Sequence, residues 1–140
     1  MKLPPDLHPD LIARFGEGGG ELPRRMKIEF LELSAEYSVG RMPVEGNRQV
    51  VGILHGGAHL VLGESLGSLS AAIHGGPDKV AMGIEISASH SKSISEGWVT
   101  GTCRAISLGN TLATHEIAIT DDAGNRLSTV RMTNYLKKIR

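Results

Sequence analysis

The chain has 140 residues, 40% hydrophobic and 21% charged, with 15 basic and 15 acidic side chains and no formal net charge. That length suits one domain with a real core, and the charge balance lacks the basic excess with which nucleic-acid binders displace counterions from phosphates. A lone Cys103 rules out an intrachain disulfide, and no apolar run reaches the ~18–20 residues of a membrane helix, so a cytoplasmic protein without nucleic-acid or membrane partners is expected.

Pro4, Pro5 and Pro9, with Asp6 and Asp10, give the first residues a character opposite to that of a leader peptide. Leu7, Leu11 and Phe15 at helical spacing predict a short helix over 9–15 that stops at Gly16. Gly16-Glu17-Gly18-Gly19-Gly20 reads as a linker or turn. A phosphate loop there would need a Lys-Ser/Thr ending and a preceding strand. Residues 1–25 are therefore assigned to a short helix and Gly-rich linker, and 26–140 to the main domain. Residues 26–33 alternate as Met26, Ile28 and Phe30 against Lys27, Glu29 and Leu31, the pattern of a half-buried strand. A second strand over 36–44, stopped by Glu45-Gly46-Asn47, completes a hairpin.

Residues 55–74 form the one long segment without strand alternation. Leu62, Leu66, Leu69 and Ile73 mark one face of a helix. Gly56, Gly57, Gly63 and Gly67 each weaken that helix by ~1 kcal/mol relative to Ala, which predicts a close approach of its backbone to something else. Four strands follow: one with Met82, Ile84, Ile86 and Ala88 on one face, one over 98–106, one over 112–120 with Ala113, His115, Ile117 and Ile119 on one face, and one over 126–136. Asp121-Asp122-Ala123-Gly124-Asn125 is a hairpin loop, and Lys137, Lys138 and Arg140 form a basic tail. Two strands, one long helix and four strands in meander make an α+β fold. One helix covers one sheet face only, so the edges and remaining apolar surface predict a homo-oligomer.

Chemistry concentrates in Gln49-Val50-Val51-Gly52-Ile53-Leu54-His55-Gly56-Gly57, followed by Glu64 and Ser68. Glu64 and Ser68 are four apart and share a helix face. A carboxylate within an apolar helix is destabilising if buried unpaired, so Glu64 is either a solvent-facing residue or a functional one; Leu62 and Leu66 beside it do not decide. His55-Gly56-Gly57 falls where the helix begins, and unpaired N–H groups there favour developing negative charge. A carbonyl on the Gly56 amide would be polarised as in an oxyanion hole, where one donor is typically worth ~2.7–4 kcal/mol of barrier lowering. The plainer reading of His55 is a polar helix-start residue.

The run from Gln49 to Ser68, with Glu85-Ile86-Ser87-Ala88-Ser89-His90 and the turn Leu108-Gly109-Asn110, resembles the hotdog-fold thioesterases. Within them it is most similar to the bacterial 4-hydroxybenzoyl-CoA and 1,4-dihydroxy-2-naphthoyl-CoA thioesterases, over residues 26–136. The resemblance implies a single antiparallel sheet of about six strands wrapped around the helix, and hydrolysis of an acyl-CoA, with aroyl groups favoured. Glu64 would attack the thioester carbonyl or activate a water. The Gly56 amide would hold the carbonyl oxygen, Gln49 and His55 would orient the thioester, Ser68 would position Glu64 or the water, and His90 would line the acyl pocket. The site would lie between subunits of a homodimer or homotetramer, with Glu64 from one and Gln49, His55 and Gly56 from the other. At the nucleotide-contacting positions, where this branch tends to carry Arg and Ser, stand Lys92, Asn110 and Thr111. Lys meets a phosphate as a point charge without the bidentate fork of Arg, which leaves the carrier, CoA or acyl-carrier protein, open. No metal, and no cofactor beyond the CoA of the substrate, is expected.

Other readings fit less well. Gly63-Glu64-Ser65-Leu66-Gly67 matches the serine-hydrolase elbow, but that motif needs a strand, a sharp turn and a helix, with Asp and then His later in the chain. No His follows Asp121 and Asp122, and pairing Asp78 with His90 or His115 still leaves the elbow inside a helix. His55 and His59 have zinc spacing, yet Gly56 stands where the Glu of H-E-x-x-H belongs. Cys103 is a small strand residue whose neighbour Arg104 points to the opposite face. A hotdog dehydratase and a non-catalytic acyl-CoA binding module remain as alternatives, though a binder has no need of Glu64.

Overall fold

A computed structural model of the chain describes residues 1–139. In chain order the elements are α1 (Pro9–Phe15), a 3-10 turn (Glu17–Gly19), α2 (Glu21–Arg25), β1 (Glu29–Glu32), β2 (Tyr37–Pro43), α3 (Gly56–Gly75), β3 (Lys79–His90), β4 (Trp98–Leu108), β5 (Leu112–Thr120) and β6 (Arg126–Lys138). No helix among the described residues is long and apolar enough to cross a membrane.

The helix at 9–15 forms as its spacing predicts. His8 caps it through Nδ1, which accepts from the Asp10 amide, and Gly16 ends it at φ 65°. The short helix α2 was not anticipated. Its signals are Pro23 in the first turn, Glu21 at the N-terminal end and Arg24 and Arg25 at the C-terminal end, which suit the helix dipole. The N-terminal segment is tied to the rest of the chain. The Lys2 amide donates to Leu31 O, Lys2 O accepts from the Leu33 amide, and Leu11 is buried. Arg14 donates to the carbonyls of Pro77 and Lys79.

All six strands join one antiparallel sheet in the order β1-β2-β4-β5-β6-β3. The four strands after α3 are therefore not a simple meander. β4, β5 and β6 run as one, but β3 pairs with β6 at the far edge, from Lys79↔Lys138 to His90↔Ser128. A helix of this length spans about 30 Å and delivers the chain to the edge opposite β2. Residues 91–97 then return across the start of α3, where the Leu54 amide donates to Ile94 O and the Val44 amide to Gly97 O.

Met82, Ile84, Ile86 and Ala88 do not share a face. The pairing with β6 shifts register between Gly83 and Glu85, and the extra residue of this bulge reverses the alternation. Met82 and Ile84 are 47% and 60% exposed, whereas Ile86 and Ala88 pack on the core. Lys137 and Lys138 belong to β6 rather than to a free tail; Arg140 lies outside the described residues.

The core sits between α3 and the inner sheet face. Leu62 and Leu66 are buried beside Val99, Cys103, Ile117 and Val130, and Leu69 and Ile73 pack at the margin. Burial pushes the Cys103 thiol up to about 12, so it stays protonated and inert. The glycines of α3 meet β6: a Cβ on Gly63 would stand 2.8 Å from Val130 Cγ1, and one on Gly67 2.9 Å from Met132 Sδ. Gly63→Ala gains about 1 kcal/mol of helix propensity but drives a methyl into Val130, and overpacking of this kind typically costs about 1–3 kcal/mol. Urea unfolding is expected to show net destabilisation; a more stable Gly63→Ala protein would contradict the close approach.

Candidate active site

His55 is the N-cap of α3. Its backbone is extended, and its Nδ1 accepts from the Gly57 amide at 2.9 Å. The cap uses the second amide of the helix and leaves the first free: among the described residues the Gly56 N–H meets no acceptor. This is the donor at the positive end of a 20-residue helix. Gly56 is also where His90 approaches the backbone, since a Cβ would stand 3.1 Å from His90 Nε2. His90 ends β3, and its Nδ1 lies 3.0 Å from Ser128 Oγ, which fixes the ring.

His59, one turn along α3, is 4% exposed, with its ring centroid 5.0 Å from that of His90. Burial, and secondarily the neighbouring His90, lower its pKa to about 4. It is therefore a neutral imidazole at ordinary pH. Gln49 sits in a tight loop where its Oε1 accepts from the Val51 amide and Gly52 turns the chain at φ 85°. Val50 and Val51 project from this loop into solvent. Gln49, Gly56, His59, His90 and Lys92 line one cleft of about 370 Å³. The returning segment 91–97 brings Lys92 to it. The sequence carries one signal for His59, its four-residue spacing from His55.

Glu64 and Ser68 share a face of α3, as their spacing predicts, but they lie outside this cleft. Glu64 is exposed, with Oε1 3.7 Å from the point where a Gly83 side chain would begin. Ser68 Oγ donates to Met132 Sδ at 3.8 Å. Glu64 stands eight positions after Gly56 on the helix, about 12 Å along the axis. Asn110 and Thr111 occupy a third place, a recess of about 420 Å³ shared with Lys79, Lys137 and Lys138. There Lys79 Nζ donates to Asn110 O and Oδ1 at 2.7 and 2.9 Å. Ser65, the serine of the elbow-like string, lies within α3 and donates to Val61 O, as a back-bonded helical serine does.

The profile of the Thioesterase superfamily matches residues 51–128. The chain is 35% identical over 127 residues to the proofreading thioesterase EntH of Cronobacter turicensis, covering 90% of this chain and 93% of that protein. It is 33% identical over 117 residues to the 1,4-dihydroxy-2-naphthoyl-CoA hydrolase of Escherichia coli, covering 83% and 86%. Among solved structures, a thioesterase from Pseudomonas aeruginosa superposes with a TM-score of 0.83 at 31% identity, over 96% of each chain. A thioesterase from Haemophilus influenzae superposes at 0.84 and 25%, over 92% and 91%.

The buried imidazoles give stability a defined pH dependence. His59 and His115 both bind a proton less readily folded than unfolded, chiefly because of burial; for His115 a hydrogen bond to Ala35 O opposes the shift. Above pH 6.5 both states hold these rings neutral, so they do not affect the slope. As pH falls from 6.5 to about 4, the unfolded chain takes up protons that the folded chain refuses, and stability drops. For His59 alone the loss is on the order of 3 kcal/mol. Denaturant unfolding of His59→Asn across this window is expected to show a shallower decline than wild type; an identical slope would contradict the assignment.

Proposed function

Because the chain belongs to the thioesterase superfamily and is a hotdog-fold thioester hydrolase, we propose that its substrate is an acyl-CoA, preferably an aroyl-CoA, cleaved at sites that two copies of the chain build together. The observation that carries this reading is the separation of the two catalytic halves. The free Gly56 amide and the Glu64 carboxylate sit on one helix, about 12 Å apart along its axis, and only the first lines the cleft. One thioester cannot engage both in a single chain. A second chain supplies the missing half.

The exposed apolar residues fit such an assembly. Val50 and Val51 stand next to Gln49, at the cleft. Met82 and Ile84 flank Gly83 on β3, whose outer edge pairs with no strand among the described residues, and Glu64 lies over Gly83. Each half-site is thus bordered by surface that gains from being covered. A homodimer joins the halves, and a homotetramer pairs two such dimers.

In this mechanism the thioester carbonyl oxygen accepts the Gly56 N–H, and the helix dipole stabilises the oxyanion as it forms. His55, held as cap through Nδ1, presents its other nitrogen to the thioester, and Gln49 orients the same group. The partner's Glu64 either adds to the carbonyl carbon and expels CoA as thiolate, with water then hydrolysing the acyl-enzyme anhydride, or takes the proton of a water that adds to the same carbon, after which the tetrahedral intermediate breaks its C–S bond and releases the CoA thiolate. Ser68, on the same face of α3, turns its hydroxyl from Met132 Sδ to position that carboxylate or the water, and His90 lines the acyl pocket. No cofactor beyond the substrate's own CoA is needed. Lys92 at the cleft, and Asn110 and Thr111 among Lys79, Lys137 and Lys138, offer the nucleotide a cationic setting for its phosphates, by point charge rather than bidentate fork. The E. coli relative, whose name specifies a naphthoyl-CoA, favours the aromatic acyl group.

The test is thiol release from a panel of aromatic and aliphatic CoA thioesters. Glu64→Ala is expected to cut kcat at least ~100-fold while the chain still folds and binds. Near-normal turnover by Glu64→Ala would remove the carboxylate from the mechanism, and ligand binding without turnover in wild type would make the protein a binding module. By size-exclusion chromatography the active species is expected to be a dimer or tetramer, and an active monomer would refute the shared site.

A further inference from the structure

Three side chains among the described residues bury polar atoms that meet no partner: His59, His115 and Asn134, the last through both atoms of its amide. Of these, His59 lines the cleft, together with Gly56 and His90. Its Nδ1 is sealed and unbonded. Its Nε2 is unbonded too but not sealed, so it is the nitrogen that opens on the cleft. The ring is neutral and has one N–H to place. A buried N–H without an acceptor is rarer than a buried lone pair without a donor, which puts the proton on Nε2. His59 therefore offers the cleft a donor. His90 offers the opposite. The buried Ser128 donates its one hydroxyl proton to Ser89 O at 3.2 Å, so at 3.0 Å it accepts from His90 Nδ1. With its proton on Nδ1, a neutral His90 ring leaves Nε2 bare. That acceptor lies against Gly56, 3.1 Å from where a Cβ would begin. The two ring centroids are 5.0 Å apart, and one oxygen bonded to each nitrogen at about 2.8 Å spans such a separation.

We propose that His59 and His90 together bind a hydroxyl carried by the acyl group: the hydroxyl oxygen accepts from His59 Nε2–H and its proton is donated to His90 Nε2. A hydroxyl accepts and donates at one atom, which is what this couple asks for. An ether or ketone oxygen satisfies His59 alone, and a carboxylate sets its charge against the bare nitrogen of His90. The inference rests on the reading of this cleft as the place where the thioester carbonyl meets the Gly56 amide. Because His90 Nε2 lies against Gly56, the hydroxyl belongs near the carbonyl, ortho or meta to it on an aromatic ring. His59 makes and breaks no covalent bond; it determines which acyl group is accepted.

The test compares benzoyl-CoA with ortho-, meta- and para-hydroxybenzoyl-CoA by thiol release. Wild type is expected to favour the ortho or meta compound over benzoyl-CoA by about 10-fold or more in kcat/KM, because benzoyl-CoA leaves the His59 donor unpaired. His59→Leu keeps similar bulk without the nitrogens and is expected to bring that ratio to within about 2-fold of one. Should His59→Leu not fold, His90→Phe, which keeps a ring and removes the acceptor, is expected to do the same. His59→Gln, whose amide retains a donor, is expected to keep more of the preference than His59→Leu. Equal handling of the four compounds by wild type, a preference for the para compound alone, or a preference that survives in His59→Leu or His90→Phe overturns the proposal. Turnover without any preference for a hydroxyl defeats this inference only. Absence of turnover on all four overturns it too and, where no thioester of the wider panel is cleaved, removes the catalytic reading beneath it.

Discussion

At Gly63 and Gly67 the backbone of α3 rests on Val130 and Met132 of β6 with no side chain of its own between them. That approach sets the rotation of the helix about its axis. Leu62 and Leu66 then point into the aliphatic core, and Glu64 is turned toward β3. A larger residue at either glycine would lift the helix, rotate it or both, and the Glu64 carboxylate would move with it. The packing of the core and the aim of Glu64 are therefore one geometric fact. Low helix propensity at two positions is the price of it.

In the proposed mechanism the same helix makes a single chain an incomplete catalyst. Its first turn keeps one donor open: His55 takes the Gly57 amide and leaves that of Gly56 free, and neutral His59 puts no competing charge in the cleft. Its middle carries Glu64. A rigid helix holds these about 12 Å apart, a distance that no side-chain rotation closes. On that proposal a second copy completes the site, each chain lending its carboxylate to the other's cleft. The open edge of β3, with Met82 and Ile84 exposed beside Gly83, carries surface suited to such an assembly.

Much of this was legible in the sequence, and the failures share a cause. Strand alternation located β4, β5 and β6, apolar spacing located α3, and the glycines of α3 announced its need for a close backbone contact. The facing of Glu64 and Ser68 followed from a four-residue spacing. What was missed depends on pairing between distant segments. Met82, Ile84, Ile86 and Ala88 alternate without a flaw, so nothing local reports the bulge that reverses the pattern; Gly83 was its one trace. Sequential neighbours suggested a meander, while the pairing of β3 with β6 is settled by the helix crossing between them. Lys92 reaches Gln49 only because residues 91–97 recross the start of α3. The unbonded amide of Asn134 looks, in sequence, like any polar residue of a strand. Periodicity reads faces, whereas bulges, crossovers and unsatisfied groups belong to the assembled sheet.

The central claim, a site divided between two chains, is tested most directly by mixing inactive subunits. Glu64→Ala and Gly56→Val chains, each folded and inactive alone, would be co-refolded in equal amounts, with formation of mixed dimers followed through distinct affinity tags. A mixed dimer holds one site with both halves intact and one with both altered. Random pairing should therefore restore about a quarter of wild-type activity, all of it in the doubly tagged fraction. If mixed dimers form and that fraction stays inactive, the two halves belong to one chain and the account is wrong.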